Sequence, residues 1–179
     1  AHAHRREEIR RGRRAGVASF EHTGLAAAPE YPPDVIAALR ERTANMAAGP
    51  LFWTPTIEGL YNFPYTVKNH EFIDGSDWHE GLPPAIVADI RQSLAHPERI
   101  SYFQQTPQRW PTLQRKFQQL RENGVQLLIG TDSGIPMKFH SGSTWNELDV
   151  WVNRLGVPAI DAIRAATYWP AVAMKADRD

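Results

Sequence analysis

The chain has 179 residues, equal numbers of basic and acidic side chains and no cysteine. A net charge of zero argues against nucleic acid or an anionic membrane as the main partner. The lack of cysteine excludes disulfides and thiolate metal ligands, and no apolar run approaches the roughly 20 residues that cross a bilayer. At roughly 150 residues per domain, this length predicts one domain or part of a larger one.

The first segment reads AHAH and continues into an arginine-rich, helix-compatible run from Arg5 to Ala15. Because Glu7 and Glu8 lie among the arginines, we interpret this run as a solvated helix face rather than a nucleic-acid patch. The residues AHAH fit the end of another strand. A first residue other than Met indicates a chain that was processed, trimmed or cut from a longer one.

One pattern recurs three times along the chain. An amphipathic helix is followed by a glycine placed as a C-cap, and then by a short apolar strand. The helices are predicted over residues 5–15, 34–46 and 113–123, with Gly16, Gly49 and Gly124 behind them. Repeated helix–glycine–strand units predict an α/β fold with parallel strands.

The segment 57–110 interrupts this pattern and is rich in aromatic residues, Pro and His. We interpret it as a loop insertion after the strand that ends in WTPT, with a helix over 85–94. A long loop without structure is uncommon inside a compact domain, so we expect the segment to close over a site.

Helices are also predicted after the last strand. The first covers 144–155, where Thr144 and Glu147 form a capping-box pattern and Trp145 lies on the apolar face. A second covers 158–166, and Pro170 opens a last one.

Polar residues finish each predicted strand. They are His2 and His4, then Glu21 and His22, then Thr54 to Thr56, then Thr131 and Asp132. Ligands in parallel α/β folds bind beyond the carboxyl ends of the strands, so we expect these side chains to converge. Imidazole and carboxylate suit Zn²⁺ and similar ions, and a cysteine-free set points to a catalytic site with an open water position. Taken singly, a strand-end His is more often structural, and an Asp before Ser-Gly often forms a turn.

Two stretches resemble the amidohydrolase superfamily, in the branch related to imidazolonepropionase and metal-dependent prolidases. AHAHRREEIRRGRRAGVASFEHTG resembles its fifth and sixth strands, and LLIGTDSGIP with FHSGSTWNELDVWVNRLGVPAIDAIRAATYWPA looks like its eighth strand and the helices that follow. The resemblance implies that residues 1–179 are the C-terminal half of a (β/α)₈ TIM barrel, strands five to eight. Residues 57–110 are then an insertion after strand seven.

The resemblance also implies a role for five residues. His2, His22 and Asp132 match the metal ligands that end strands five, six and eight. Asp132 further matches the catalytic acid that accepts a proton from the attacking water. His4 and His140 match substrate-binding positions, although a swap of His2 and His4 as ligand stays open, and so does a plain surface role for His140. One or two divalent ions are implied, Zn²⁺ first among them.

The implied activity is hydrolysis of a C–N bond, in an amide, lactam or peptide, by metal-activated water. The family's strand-one His-x-His and its strand-four lysine or acid are missing. We therefore expect the isolated chain to have little activity and to need the missing first half, or a homo-oligomer, as partner. The alternatives are a degenerate or truncated barrel acting as a non-catalytic binding or assembly module, and an unrelated α/β binding protein in which Asp132 caps a turn.

Overall fold

The computed structural model describes residues 1–26, 28–59, 77–135 and 138–177. No helix in these ranges is long and apolar enough to cross a membrane. Single 3₁₀ turns cover Met46–Ala48, Asp77–His79 and Pro97–Arg99. The helices and strands, in chain order, are α1 Arg6–Arg14, β1 Ser19–Glu21, α2 Pro33–Ala44, β2 Phe52–Thr54, α3 Pro84–Ala95, α4 Ser101–Glu122, β3 Gln126–Leu127, α5 Ser143–Asn153, α6 Ala159–Ala166 and α7 Tyr168–Ala173.

The three strands form one parallel sheet with β2 in the centre. In its register, Trp53 pairs with Phe20 on one side and with Leu127 on the other. The N-terminal residues join the outer edge of β1, where His2 forms a parallel bridge with Glu21. The predicted α/β fold with parallel strands is therefore confirmed. Within the described ranges the sheet is open and does not close into a barrel.

A helix and then a glycine precede each strand. The glycines have left-handed backbone, with φ of +71° at Gly16, +68° at Gly49 and +73° at Gly124. Only glycine takes this conformation without steric cost, which is why it ends so many helices. The helix–glycine–strand prediction is confirmed in all three units. The strands are shorter than the apolar runs indicated, because only two or three residues of each pair with a neighbour.

The main core lies where the sheet meets the helices. Trp53 in the central strand is fully buried and stacks near Phe20, with ring centroids 4.8 Å apart. A buried side chain of this size contributes roughly 2–3 kcal/mol by leaving water. The helices contribute Ile9 from α1, Val35 and Leu39 from α2, Leu113, Phe117 and Leu120 from α4, and Val150 and Trp151 from α5. Helix α1 also reaches α2 through an Arg6–Asp34 ion pair of 2.8 Å.

Helix α4 begins at Ser101, well before the predicted start at residue 113, and it contains both Pro107 and Pro111. A proline inside a helix removes one N–H donor, so sequence reasoning takes it as a boundary. Burial outweighs that cost here: Phe103 and Thr106 are buried on the N-terminal side of Pro107.

The predicted capping box at the start of α5 is wrong. The cap position is Gly142, and no side chain caps the helix. Trp145, predicted on the apolar face, is 73% exposed. Glu147 is fully buried instead, on the same helix face as Val150 and Trp151.

A second, smaller apolar cluster lies around helix α3, whereas Ile57 lies in the main core and Trp110 packs against it. Trp78 and Leu94 are buried in the second cluster, with Val87, Ile90 and Phe139 packed against them. The predicted helix over 85–94 is confirmed as α3. Residues 60–76 of the predicted insertion lie outside the described residues.

Candidate functional site

The residues that follow the strands have unusual backbone conformations. His22 directly follows β1, Thr56 follows β2 and Asp132 follows β3, and their φ angles are +60°, +51° and +57°. Among the described residues, five non-glycine residues have positive φ, and these are three of them. Such conformations cost roughly 1–3 kcal/mol each and cluster at functional sites. The carboxyl edge of the sheet is therefore the candidate functional site.

Three imidazoles converge at this edge. The ring centroids of His2 and His22 are 4.9 Å apart, those of His4 and His22 5.7 Å, and those of His2 and His4 6.3 Å. The sheet positions His2, because the backbone N of Glu21 donates to the carbonyl of Ala1 at 3.0 Å. The convergence predicted for these three histidines is thus observed.

The backbone of His4 is held from two sides. The Glu8 carboxylate accepts the N–H of His4 at 2.8 Å. It also accepts the backbone N–H of Arg5, and these two hydrogen bonds, that of Arg5 foremost, lower the pKa of Glu8. The His4 carbonyl accepts the N–H of Leu25 at 2.9 Å. Between them Gly24, with φ of +60°, leaves no room for a Cβ, which would overlap the carbonyl oxygen of Ala3. The glycine of the EHTG motif therefore lets the N-terminal segment approach His22.

His22 is the most constrained imidazole of the three. Its Nδ1 lies 2.7 Å from Oγ1 of Thr56, and its backbone N donates to the Thr54 carbonyl at 2.8 Å. Burial lowers the pKa of His22, an effect that the negative charge of Asp132 opposes and that His2 and His4 reinforce. Burial thus disfavours the charged form of the ring, and Nδ1 is engaged by Thr56.

Asp132 is exposed and lies close enough to His22 to act on its charge. The residues before it are fixed by contacts to the sheet and within the loop. Gly130 packs against Thr54, where a Cβ would overlap the Thr54 methyl group. Oγ1 of Thr131 lies 2.7 Å from Oγ of Ser133. Asp132 therefore lies at the carboxyl edge within electrostatic reach of His22.

A buried polar cluster behind the loop was missed by the sequence reasoning. Nζ of Lys138 donates to the Thr131 carbonyl and lies 3.5 Å from the Glu58 carboxylate, with both side chains 2% exposed. The Glu147 carboxylate accepts the backbone N–H groups of Ile57 at 3.0 Å and Glu58 at 2.6 Å. Burial raises the pKa of Glu147, and Lys138 opposes that shift. The available signal was the spacing of Glu147 and Trp151, four residues apart on one helix face and hydrogen-bonded at 2.9 Å.

A cavity of about 600 Å³ opens beside the same loop. Its wall includes Gly134, Ile135 and His140 from the loop, and Trp78 and Phe139 from the second apolar cluster. His140 therefore lies at a pocket, as the resemblance implied, but its pocket is not the imidazole cluster. His4, the other predicted substrate-binding residue, lies in that cluster instead. The structure thus separates the two.

In the ranges that the structure describes, no group of three or more His, Asp or Glu side chains is arranged to hold a metal ion. The predicted ligands His2, His22 and Asp132 are neighbours without being set around one point. No family model matches the sequence, and a search of curated proteins finds no match. The site must therefore be judged on the geometry of its own residues.

Proposed function

We propose that this chain is the part of a metal-dependent hydrolase that carries metal-binding residues. The hydrolase would cleave a C–N bond in an amide, lactam or peptide. The observation that carries the proposal is the meeting of three imidazoles and one carboxylate at the carboxyl edge of a parallel sheet. Four parallel stretches lie side by side in chain order, from His2 through β1 and β2 to β3. That order is the one expected of strands five to eight of a (β/α)₈ barrel. It supports the proposal that this chain is the C-terminal half of such a barrel.

The donor set fits a zinc-like ion in its chemistry. Two imidazoles that bind one ion through Zn–N bonds of about 2 Å have ring centres roughly 5–6 Å apart, close to the 4.9 and 5.7 Å that separate His22 from His2 and His4. Metal-binding histidines usually hold their second ring nitrogen in a hydrogen bond, as Thr56 does for His22. His2, His4 and Asp132 are exposed, and their side chains would have to rotate to set the donor atoms around one ion.

A bound divalent ion would supply Lewis acidity and lower the pKa of water towards roughly 7. The chain's own residues would do the rest. Burial lowers the pKa of His22 and so disfavours the protonated ring, and Nε2 has a free lone pair for the ion in the tautomer whose Nδ1–H donates to Oγ1 of Thr56. The carboxylate of Asp132 is exposed at the same edge, where it would accept a proton from the attacking water and return it to the leaving nitrogen. Thr131 and Lys138 fix the backbone that presents Asp132.

Zinc titration of the purified chain tests the metal proposal. We expect His22→Ala and Asp132→Ala each to weaken zinc binding at least about tenfold, the loss typical of a removed ligand or its partner. His96→Ala is the matched control, because His96 pairs with Glu98 on the surface at 3.2 Å. The metal proposal would be wrong if the wild type and all three variants bound zinc equally well, or if His96→Ala weakened binding as much as the other two variants.

A panel of N-acyl amino acids, dipeptides and cyclic amides then tests the reaction. Because the chain lacks the strand-one and strand-four ligands that the resemblance implies, we expect hydrolysis to be slow but detectable, to require added metal and to be lost in Asp132→Ala, while that variant keeps the wild-type circular dichroism spectrum. Metal binding without hydrolysis of any member of the panel would leave the site without the proposed activity.

A non-catalytic binding module is the second candidate. The observation in its favour is the cavity of about 600 Å³, whose wall includes neither His2, His4 nor His22. Ligand binding that is indifferent to zinc and to Asp132→Ala, together with a failed hydrolysis panel, would favour it.

A further inference from the structure

The cavity beside the Asp132 loop has the size of a small-molecule site. Its volume of about 600 Å³ lies within the roughly 300–1,000 Å³ of typical ligand pockets. Its wall draws on residues distant in sequence, from Trp78 through α3 and the start of α4 to the loop around Phe139. Such a pocket depends on the tertiary fold and is not a crease within one element.

One face of helix α3 supplies the apolar wall. Ile86, Ile90 and Ser93 line the cavity, at the spacing of one helix face, and Ile86 is 48% exposed. Trp78 and Phe139 also line the cavity, with ring centroids 4.7 Å apart, and Ile90 packs in the same apolar cluster. The exposed Ile86 beside this cluster leaves apolar surface that an apolar ligand would remove from water.

The charges at this cavity are unbalanced. The carboxylates of Glu80 and Asp89 line it, both residues are exposed, and neither forms an ion pair with a described residue. Lys138 also lines it, but its Nζ is already engaged by the Glu58 carboxylate and the Thr131 carbonyl. Among the described residues that line the cavity, the charges without an ion-pair partner are therefore negative.

We propose that this cavity binds a cationic amphiphile, a small molecule with an apolar chain or ring and a protonated amine. The apolar part lies against Ile86 and the Trp78–Phe139 pair, and the ammonium group lies at the carboxylates of Glu80 and Asp89. The inference goes beyond the proposed hydrolysis, because such binding needs neither a metal nor the imidazole cluster.

Calorimetric titration with octylamine, octanol and octanoate, all below their micelle concentrations, tests the proposal on metal-free full-length chain. The three probes share one tail and differ in the charge of the head. We expect octylamine to bind about fivefold more tightly than octanoate at low ionic strength, the modest preference that two exposed carboxylates give. The preference should shrink at high salt, and octanol should lie between the two.

Two variants and one control separate the charge from the apolar wall. Glu80→Gln with Asp89→Asn should remove the preference for octylamine and keep octanol binding. Ile90→Asn should weaken all three probes, with the fold checked by circular dichroism. Glu122→Gln, at the far end of α4, about 28 Å along the helix from Phe103, should change nothing.

Three results would overturn the proposal. They are no binding of any probe, tighter binding of octanoate than of octylamine, and an octylamine preference that survives the Glu80→Gln and Asp89→Asn pair. None of these bears on zinc binding at His22, so the cavity and the hydrolase proposal fail separately.

Discussion

Among the residues that the structure describes, two lysines are buried, in two different regions with different surroundings. Lys116, on α4 in the main core, is 1% exposed, and Lys138, in the loop after Asp132, is 3% exposed. Nζ of Lys116 donates to the Leu25 carbonyl at 2.6 Å and lies 3.4 Å from Oγ1 of Thr112, both neutral oxygens. Nζ of Lys138 faces the Glu58 carboxylate at 3.5 Å.

The difference shows what a buried charge does with and without a counter-charge. Burial, helped by Arg109, lowers the pKa of Lys116 to about 8, so its charged form is poorly supported. Lys138 has an anion beside it and also bonds the carbonyl before Asp132. The first lysine is a cost that the core tolerates, whereas the second connects the Asp132 loop to the segment after β2.

Replacing Lys138 with Met should give the largest effect. Removing one partner of a buried pair leaves the other charge uncompensated, so we expect a loss of about 4 kcal/mol in the free energy of unfolding. Urea unfolding at pH 7 measures it, with the exposed Lys175→Met as control. A loss below about 1 kcal/mol would mean that the pair does not hold the loop.

Glu147→Gln comes next in size. The carboxylate accepts the N–H of Ile57 on one oxygen and that of Glu58 on the other. A Gln side chain would set an NH₂ group against one of these donors, which should cost about 2–3 kcal/mol. Urea unfolding of Glu147→Gln beside the exposed Asp149→Asn tests this. Similar stabilities for the two variants would contradict it.

A double-mutant cycle on Glu58 and Lys138 isolates the pair itself. We expect the double variant Glu58→Leu, Lys138→Met to lose about 2 kcal/mol less stability than the two single losses added together, because it leaves neither member of this pair without its partner. Additive losses would show that the two side chains act through separate contacts.

Lys116→Met should have the smallest effect at neutral pH and the opposite sign, a gain of about 1 kcal/mol. The Leu25 carbonyl keeps the N–H of Ala28 as partner at 2.9 Å. The pKa of Lys116 falls from 10.5 in the unfolded chain to about 8 when folded, so the unfolded chain binds more protons between these values. Wild-type stability should therefore rise with pH from about 8 to 10.5, by about 2 kcal/mol relative to Lys116→Met.

The pH series is read as the difference between wild type and Lys116→Met, which cancels the other titrating groups. A constant difference from pH 7 to about pH 10.5 would show that Lys116 keeps an ordinary pKa in the folded protein.

Local sequence patterns were enough to predict the helix–glycine–strand units and the proximity of the histidines. The glycines at 16, 49 and 124 all have the positive φ expected of a glycine that ends a helix, and parallel pairing then brings His2 and His22 together. Both inferences use rules that act over a few residues or follow from strand direction.

Other features depend on partners far apart in the chain. The Glu147 carboxylate accepts hydrogen bonds from backbone N–H groups about ninety positions earlier in the chain. A local capping-box pattern could not predict these long-range hydrogen bonds. Helix α4 keeps Pro107 because Phe103 and Thr106 are buried. The cavity needs α3 beside the 134–141 loop, a juxtaposition that periodicity does not encode.

The left-handed backbone at His22, Thr56 and Asp132 has a consequence for protein engineering. Glycine relieves such strain, so a library screened for heat resistance alone should collect His22→Gly, Thr56→Gly and Asp132→Gly among its winners. These substitutions would remove, respectively, the imidazole of His22, the hydroxyl of Thr56 that contacts it, and the carboxylate of Asp132. Thermostabilisation of this fold therefore needs a simultaneous screen for ligand or metal binding, because stability and chemistry compete for the same three positions.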